Sequence, residues 1–131
     1  MPEPPLLYTI GHGRRPWEEF VAILDRHAID RVVDVRWKPA SRWCPWANRR
    51  RLEAALKDRY VWDGARLGNA SFFGADPVPE SEYLAGLGDL QARVQRGERV
   101  VIMCSETDPA NCHRTPIAQA LERRGIPFEH L

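Results

Sequence analysis

The run from Val100 to Met103 is the feature that most limits what this chain can fold into. Consecutive apolar residues without polar alternation are typical of a strand buried on both faces, as in a parallel sheet that helices cover. Further short runs that favour strands lie at Leu6–Ile10, Arg31–Val35, Tyr60–Trp62 and Ile126–His130. The sequence therefore predicts a five-stranded sheet that is mostly parallel.

Segments with the helical spacing of apolar residues separate these strands. They run from Pro16 to about His27, from about Arg49 to Arg59, from Glu80 to Arg96 and from about Thr115 to Arg124. Strands that alternate with helices are typical of α/β proteins. We expect a single three-layer α/β domain over residues 1–131, with helices on both faces of the sheet and residues 1–5 as a loose N-terminal lead.

Two connections do not fit this regular alternation. The segment from Arg36 to Ala47 is rich in Trp and is expected to be an irregular loop. The segment from Asp63 to Pro79 is punctuated by Gly and Pro and is long for a connection in a small domain. We expect this second segment to be a lid or a binding loop.

Charge and cysteine content narrow the functional classes. The 19 Lys and Arg residues and 18 Asp and Glu residues give a net charge of +1, which does not favour nucleic-acid binding by the protein as a whole. No apolar run approaches the roughly 20 residues of a membrane span, and no secretory signal is evident, so a cytoplasmic protein without a membrane partner is expected. The odd number of cysteines predicts at least one free thiol.

Polar residues with chemical potential follow three of the predicted strands. They are His12 after the first strand, Arg36, Ser41 and Arg42 after the second, and Cys104, Glu106, Cys112, His113 and Arg114 after the fourth. In open parallel sheets, ligands bind outside the carboxyl ends of the strands, where the loops and the helix N-termini gather. We therefore expect these three segments to converge on one cleft.

The run Cys112-His113-Arg114 is expected to lie near a helix N-terminus, which favours a thiolate and a bound anion. The favoured interpretation has Thr115 as the helix cap, with Pro116 at the first helical position. In the alternative, Asp108 is the cap and Pro109 occupies that position. Under either interpretation, Cys112 or Cys104 is a candidate nucleophile or redox thiol.

Other interpretations of the cysteines stay open but are less favoured. Cys44, Cys104, Cys112 and His113 could supply four zinc ligands, yet the chain has no Cys-x-x-Cys pair, and we predict no metal and no cofactor. A reversible disulfide between Cys104 and Cys112 and an inert buried thiol are further alternatives. The spacing of Cys44 and Arg50 matches a thiol-phosphatase loop, but no apolar strand and no glycines accompany it.

Several motifs together resemble the bacterial and archaeal family called domain of unknown function 488. They are Thr9-Ile10-Gly11-His12, Val33-Asp34-Val35-Arg36 with Pro39, Ser41-Arg42, Leu67-Gly68, and Cys104-Ser105-Glu106-Thr107-Asp108-Pro109 followed by Cys112-His113-Arg114. The resemblance covers essentially the whole chain and marks the candidate residues as family hallmarks, but it implies no activity. The chain departs from the family at Gly13, usually a serine, and at Asn69, usually a glycine, so no role for that hydroxyl is carried over.

The residues favour an enzyme that acts on an anionic small molecule, either phosphorylated or nucleotide-like. Arginines are suited to holding an anion, and Arg36, Arg42 and Arg114 are expected to do so with Ser41. For Arg36, a structural ion pair with Asp34 is the less favoured alternative. His12 or His113, with Glu106, would transfer the proton.

Two functional alternatives belong to other classes. One is a nucleic-acid-binding or nucleic-acid-modifying module that uses Arg49-Arg50-Arg51 and the tryptophans, although neighbouring acidic residues offset that charge. The other is a noncatalytic interaction domain.

Overall fold

Five strands form one sheet in which every neighbouring pair is parallel. A computed structural model describes residues 5–131 and contains β1 (Leu7–Gly11), β2 (Arg31–Asp34), β3 (Tyr60–Trp62), β4 (Val100–Cys104) and β5 (Phe128–His130). The spatial order is β3-β2-β4-β1-β5, so the last long strand of the chain lies between the first two. The predicted five-stranded sheet is confirmed, while residues 1–4 of the predicted N-terminal lead lie outside the described residues.

Helices cover both faces of this sheet, as the α/β prediction requires. They are α1 (Trp17–Arg26), α2 (Arg49–Leu56), α3 (Gly64–Leu67), α4 (Glu80–Gln95) and α5 (Arg114–Glu122). Side chains of α1 and α2 pack on one face, and side chains of α4 and α5 pack on the other. None of the helices within residues 5–131 has the length and apolarity to cross a membrane.

Side-chain alternation along the strands divides the core between the two faces. In β4, Val100 and Ile102 point into the cluster beneath α4 and α5, whereas Val101 and Met103 point into the cluster beneath α1 and α2. All four are buried. The apolar run therefore reflects a strand that is covered on both sides, which is the physical reason that the sequence shows no polar alternation there.

The end of α2 and the start of α5 are among the helix boundaries that differ from the sequence prediction. Helix α2 ends at Leu56, three residues before the predicted Arg59, because Lys57 adopts a positive φ of 51° and a short 3₁₀ turn follows. Helix α5 begins at Arg114, with His113 as its cap residue, so Thr115 is not the cap. Pro116 is tolerated as the third helical residue because N–H groups in the first turn have no intrahelical partner.

The segments that follow β3 and β4 contain more local structure than predicted. Within the predicted loop from Asp63 to Pro79, the short helix α3 and a 3₁₀ turn at Ala70–Phe73 are formed. After β4, Asp108 caps a 3₁₀ turn at Pro109–Asn111 by accepting the N–H of Ala110. The alternative role of Asp108 as a cap thus applies to this turn and not to α5.

Gly11 lies where the end of β1 meets the chain that follows β4. A Cβ atom at this position would lie 1.9 Å from the carbonyl oxygen of Glu106, a distance at which the two atoms would overlap. Only glycine allows the two backbones to approach so closely. Gly88, in the middle of α4, has nothing within 4 Å of the same hypothetical atom.

We expect Gly11→Ala to lower the free energy of unfolding by about 1–3 kcal/mol, because the backbone of the β4 segment must move away. Gly88→Ala is the matched control and is expected to raise stability by roughly 0.5–1 kcal/mol, because alanine has the better helix propensity. Urea unfolding followed by circular dichroism measures both changes. Equal effects of the two substitutions would contradict the close approach at Gly11.

Candidate functional site

The carboxyl ends of β1, β2 and β4 meet at one edge of the sheet, as predicted. The register places Gly11 opposite Cys104 and Asp34 opposite Met103. Backbone hydrogen bonds continue beyond the strands, since His12 N–H donates to the Cys104 carbonyl at 2.9 Å and Val35 N–H donates to the Met103 carbonyl at 3.1 Å. The three connecting segments are therefore fixed against one another.

The side chains at this edge nevertheless fall into two separate clusters. Successive residues of a strand point to opposite faces, so His12 and Arg36 lie on the α1 and α2 side whereas Cys104 lies on the α4 and α5 side. We call the first group, His12, Asp34, Arg36 and Tyr60, the imidazole–guanidinium cluster. The second group, Thr9, Cys104, Cys112 and Arg114, is the thiol cluster. The single cleft expected from the topology is thus divided by the sheet.

The imidazole–guanidinium cluster is held together by a buried ion pair. Asp34 accepts hydrogen bonds from Arg36 Nε at 2.8 Å and from Nη2 at 2.7 Å, and both side chains are almost fully buried. Tyr60 Oη donates to the same carboxylate at 2.6 Å. Burial and the Asp34 charge raise the pKa of the Tyr60 hydroxyl well above its usual range. Removing one partner of such a pair costs about 3–5 kcal/mol, which makes Asp34 and Arg36 a structural unit.

His12 completes this cluster and has both ring nitrogens occupied. Nδ1 donates to the Gly13 carbonyl at 2.9 Å, and Nε2 accepts from Arg36 Nη1 at 3.2 Å. Burial, together with the positive charge of Arg36, lowers the pKa of His12 to about 4. The side chain is 1% exposed, so His12 is a neutral, internally bonded imidazole near pH 7.

The thiol cluster contains a disulfide between Cys104 and Cys112. Of the alternatives weighed for the two cysteines, the structure therefore has the bonded pair. Cys104 is 1% exposed and Cys112 is 8% exposed, so Cys112 is the more accessible of the two sulfurs. Cys44 is free and buried, and its burial raises the pKa of the thiol.

Arg114 contacts both sulfur atoms. Its guanidinium Nη1 lies 3.0 Å from Cys104 Sγ, and its backbone N–H, the first of α5, donates to Cys112 Sγ at 3.5 Å. The same guanidinium donates to the Thr9 hydroxyl at 3.1 Å and to the carbonyl oxygens of Glu106 and Thr107. Burial lowers the pKa of Arg114. Its hydrogen-bond acceptors are uncharged, and the cationic guanidinium donates to them. Positive charge is thus concentrated on the sulfur pair.

A shallow groove opens beside Cys112 at the start of α5. Its volume is about 520 Å³, and its lining includes Asn69, Asn111, Cys112, His113 and Gln119. His113 Nε2 donates to the Val35 carbonyl at 2.6 Å, which leaves Nδ1 as the acceptor of the neutral ring. Burial lowers the pKa of His113, so this ring is neutral near pH 7.

The remaining predicted site residues lie outside both clusters. Glu106 has an exposed side chain whose carboxylate accepts the Asp108 N–H at 3.2 Å. Ser41 Oγ accepts the backbone N–H groups of Trp43 and Cys44, each at 3.2 Å, and thereby stabilises a turn. Arg42 is exposed and has no carboxylate partner among the residues that the structure describes. Their expected roles in binding and catalysis stay predictions.

The zinc interpretation finds no support in the geometry. Within residues 5–131, no three His, Cys, Asp or Glu side chains lie together as a metal-binding group. Cys44, one of the four candidate ligands, lies near the carbonyl of Arg15 at 3.9 Å.

Sequence reasoning weighed an ion pair of Arg36 with Asp34 but favoured an anion site, and the structure has the ion pair. It did not identify Tyr60 or Thr9 as partners of the candidate residues. Asp34 had a visible signal, because a charged residue inside an apolar strand needs a buried partner. Tyr60 and Thr9 had none, because their neighbours in space come from distant parts of the chain.

The comparisons with known proteins give one match. A family model with the description "Domain of unknown function DUF488" matches residues 16–72 and 75–121, which together make up most of the chain. No curated protein and no solved structure matches the sequence.

We expect the stability of the protein to fall as the pH drops from about 6.5 to about 4, in part because of His12. The unfolded chain binds a proton near pH 6.5, whereas folded His12 binds it only near pH 4. Between these values the unfolded state holds more protons, so acid favours unfolding by up to about 3 kcal/mol from this residue.

The measurement compares urea unfolding of the wild type and of His12→Gln at pH 7.5 and pH 4.5. The variant is expected to lose less stability between the two pH values, and the dependence that remains comes from other groups. An unchanged pH dependence in the variant would contradict a buried neutral His12.

Proposed function

We propose that this chain, which belongs to the family described as domain of unknown function DUF488, is a thiol-dependent redox enzyme for a small anionic disulfide. In this proposal, Cys112 is the attacking thiol and Cys104 is the resolving thiol. The observation that carries the proposal is the contact of Arg114 with both sulfurs of a bonded cysteine pair. A purely structural disulfide has no need of a buried guanidinium against it.

Accessibility supports this assignment of the two cysteines. Cys112 lines the groove at the start of α5, whereas Cys104 lies behind it at the end of β4. An incoming disulfide would therefore meet Cys112 first. The guanidinium and the helix N-terminus favour negative charge on sulfur, and the thiolate is the nucleophilic form of cysteine.

The exchange balances in two steps. In the reduced enzyme, the Cys112 thiolate attacks one sulfur of the substrate disulfide, a mixed disulfide forms, and the other substrate half leaves as a thiolate. The Cys104 thiolate then attacks Cys112 Sγ, which forms the Cys104–Cys112 bond and releases the second half. The substrate gains two electrons, the enzyme dithiol loses them, and a small dithiol reductant returns the enzyme to its starting state.

His113 is the proposed proton acceptor for the Cys112 thiol. It follows Cys112 in the chain and lines the same groove, and Nδ1 of its neutral ring has no partner among the described residues. His12 is less suited to this role because the carbonyl of Gly13 and the guanidinium of Arg36 occupy both of its nitrogens. Glu106 contributes its backbone carbonyl to Arg114 and so positions the guanidinium.

An anionic substrate is favoured by the charge at this site. The N-terminal end of α5 lies at the groove, and its dipole attracts negative charge. The guanidinium of Arg114 lies directly behind the sulfurs, and its own protein partners include no carboxylate. The exposed carboxylates of Glu106 and Asp108 act to raise the pKa of Arg114, but neither forms an ion pair with it among the described residues.

We expect iodoacetamide at pH 7 to alkylate Cys112 of the reduced protein at least about tenfold faster than Cys44, because positive charge favours the Cys112 thiolate whereas burial disfavours that of Cys44. Peptide mass spectrometry at timed intervals measures both rates in one sample, with Cys44 as the internal control. Cys112→Ser is expected to leave only slow labelling. Similar rates at Cys112 and Cys44 would contradict the proposed attacking thiol.

We expect the reduced enzyme to react faster with an anionic disulfide, 5,5′-dithiobis(2-nitrobenzoate), than with uncharged 4,4′-dithiodipyridine, each relative to a free model thiol. Wild type is expected to release both thiolate halves, whereas Cys104→Ser stops at the mixed disulfide and releases only one. Absorbance gives rate and stoichiometry, and inorganic phosphate is expected to slow the anionic reaction. Equal relative rates for the two disulfides would contradict the proposal of an anionic substrate. Release of only one thiolate half by the wild type would contradict the proposed role of Cys104 as the resolving thiol.

A further inference from the structure

The segment from Val35 to Leu52 carries six cationic residues and no acidic residue. It contains the loop after β2 and the first half of α2, so it lies at the same sheet edge as the two clusters. A balanced net charge of +1 for the whole chain conceals this local excess. Charges separated by more than about 10 Å are screened at physiological salt, so a local excess is what an approaching anion meets.

Most of these cations have no carboxylate partner. We define the cationic rim as the exposed residues Arg14, Lys38, Arg42, Arg50 and Arg51. No ion pair joins any of them to an acidic side chain within the described part of the chain. Several other arginines are paired with carboxylates, for example Arg31 and Arg96 with Glu98, and Arg66 with Asp63 and Asp89. The rim therefore presents charge that no carboxylate of residues 5–131 neutralises by an ion pair.

Exposed aromatic side chains accompany the rim. Among the large hydrophobic side chains of residues 5–131, Trp43 is 65% exposed and Phe72 is 79% exposed. The guanidinium of Arg14 lies 5.0 Å from the centre of the Trp43 ring, and Lys38 Nζ lies 5.0 Å from the centre of the neighbouring Phe73 ring. Such side chains are costly to leave in water and are typical of a binding surface.

The segments that carry these side chains are contiguous. The indole N–H of Trp46 donates to the Arg15 carbonyl at 2.8 Å, which fixes the loop after β1 against the loop after β2. The Lys38–Phe73 contact joins the loop after β2 to the 3₁₀ turn that follows α3. The rim and its aromatic side chains thus form one surface along the sheet edge.

We propose that this surface binds single-stranded nucleic acid. The unpaired guanidinium and ammonium groups would contact phosphates, and unpaired bases would stack on Trp43 and Phe72. Cations alone would fit any polyanion, but flat exposed rings beside cations are matched by a strand whose bases are free to stack. The faces of the bases are stacked inside a duplex, so a duplex would contact the cations of this surface but not its aromatic rings. This inference rests on observations independent of the thiol cluster and goes beyond the redox function.

The test uses fluorescein-labelled single-stranded DNA and RNA of about 20 nucleotides, longer than the site of one small domain. Fluorescence anisotropy of the full chain gives Kd at several salt concentrations. We expect binding at low salt that weakens as salt increases, because phosphate contacts release counterions. A duplex of the same length is expected to bind more weakly.

Three variants separate the contributions. Trp43→Ala is expected to weaken binding at least about fivefold through lost stacking. The double variant Arg50→Glu with Arg51→Glu is expected to weaken it further and to reduce the salt slope by more than about 1. The matched control is Arg123→Glu with Arg124→Glu, an identical charge change on exposed residues that follow α5 at the opposite end of the domain. This control is expected to bind nearly as well as wild type.

Several outcomes would overturn the proposal. They are no binding of any oligonucleotide at low salt, unchanged binding by Trp43→Ala, and equal weakening by the rim and control variants. Binding to vesicles of acidic lipid without binding to oligonucleotides would assign the surface to a membrane instead. The double variant Cys104→Ser with Cys112→Ser is expected to bind normally, so the surface and the redox function can fail separately.

Discussion

Alternation of side chains along parallel strands is the constraint on which the rest of this structure depends. Neighbouring residues of β1, β2 and β4 point to opposite faces, and both faces are covered by helices. Polar residues at the strand ends must therefore find partners on whichever face they reach. His12 and Arg36 do so beneath α1 and α2, whereas Cys104 does so beneath α5. One edge of the sheet thus carries two chemically distinct clusters.

Two buried arginines show how differently the same side chain is used on these faces. Arg36 is neutralised by Asp34, and its remaining contacts go to His12 and to the Ala47 carbonyl. Arg114 donates hydrogen bonds to neutral oxygen acceptors and to sulfur, and its charge lies against the cysteine pair. A buried cation without a carboxylate is expensive. Its retention beside two sulfurs is consistent with a chemical role for the thiol cluster, and the paired state of Arg36 is consistent with a structural one.

The outer surface of the same edge follows a third pattern. Some arginines of the protein form ion pairs, such as Arg66 with Asp89, whereas the cationic rim is exposed to solvent and its Arg14 and Lys38 lie beside exposed rings. The groove at Cys112 includes Asn69, and the turn that follows this residue carries Phe72 and Phe73. The proposed nucleic-acid surface and the proposed redox site are therefore neighbours.

The sequence by itself determined the number of strands, their parallel arrangement and the sheet edge at which the polar residues gather, because apolar runs and helical periodicity are local signals. It placed Val100–Met103 within one residue of β4, and it located His12 and Arg36 at the correct edge. Helix ends were less accurate, since the positive φ of Lys57 and the position of Pro116 in the first turn of α5 depend on neighbouring segments. Only the tertiary structure decided that Tyr60 donates to Asp34, that the guanidinium of Arg114 contacts Cys104 Sγ, and that the expected cleft is divided. Each of these depends on how side chains of separate elements are oriented, on which the spacing of residues in the sequence carries no information.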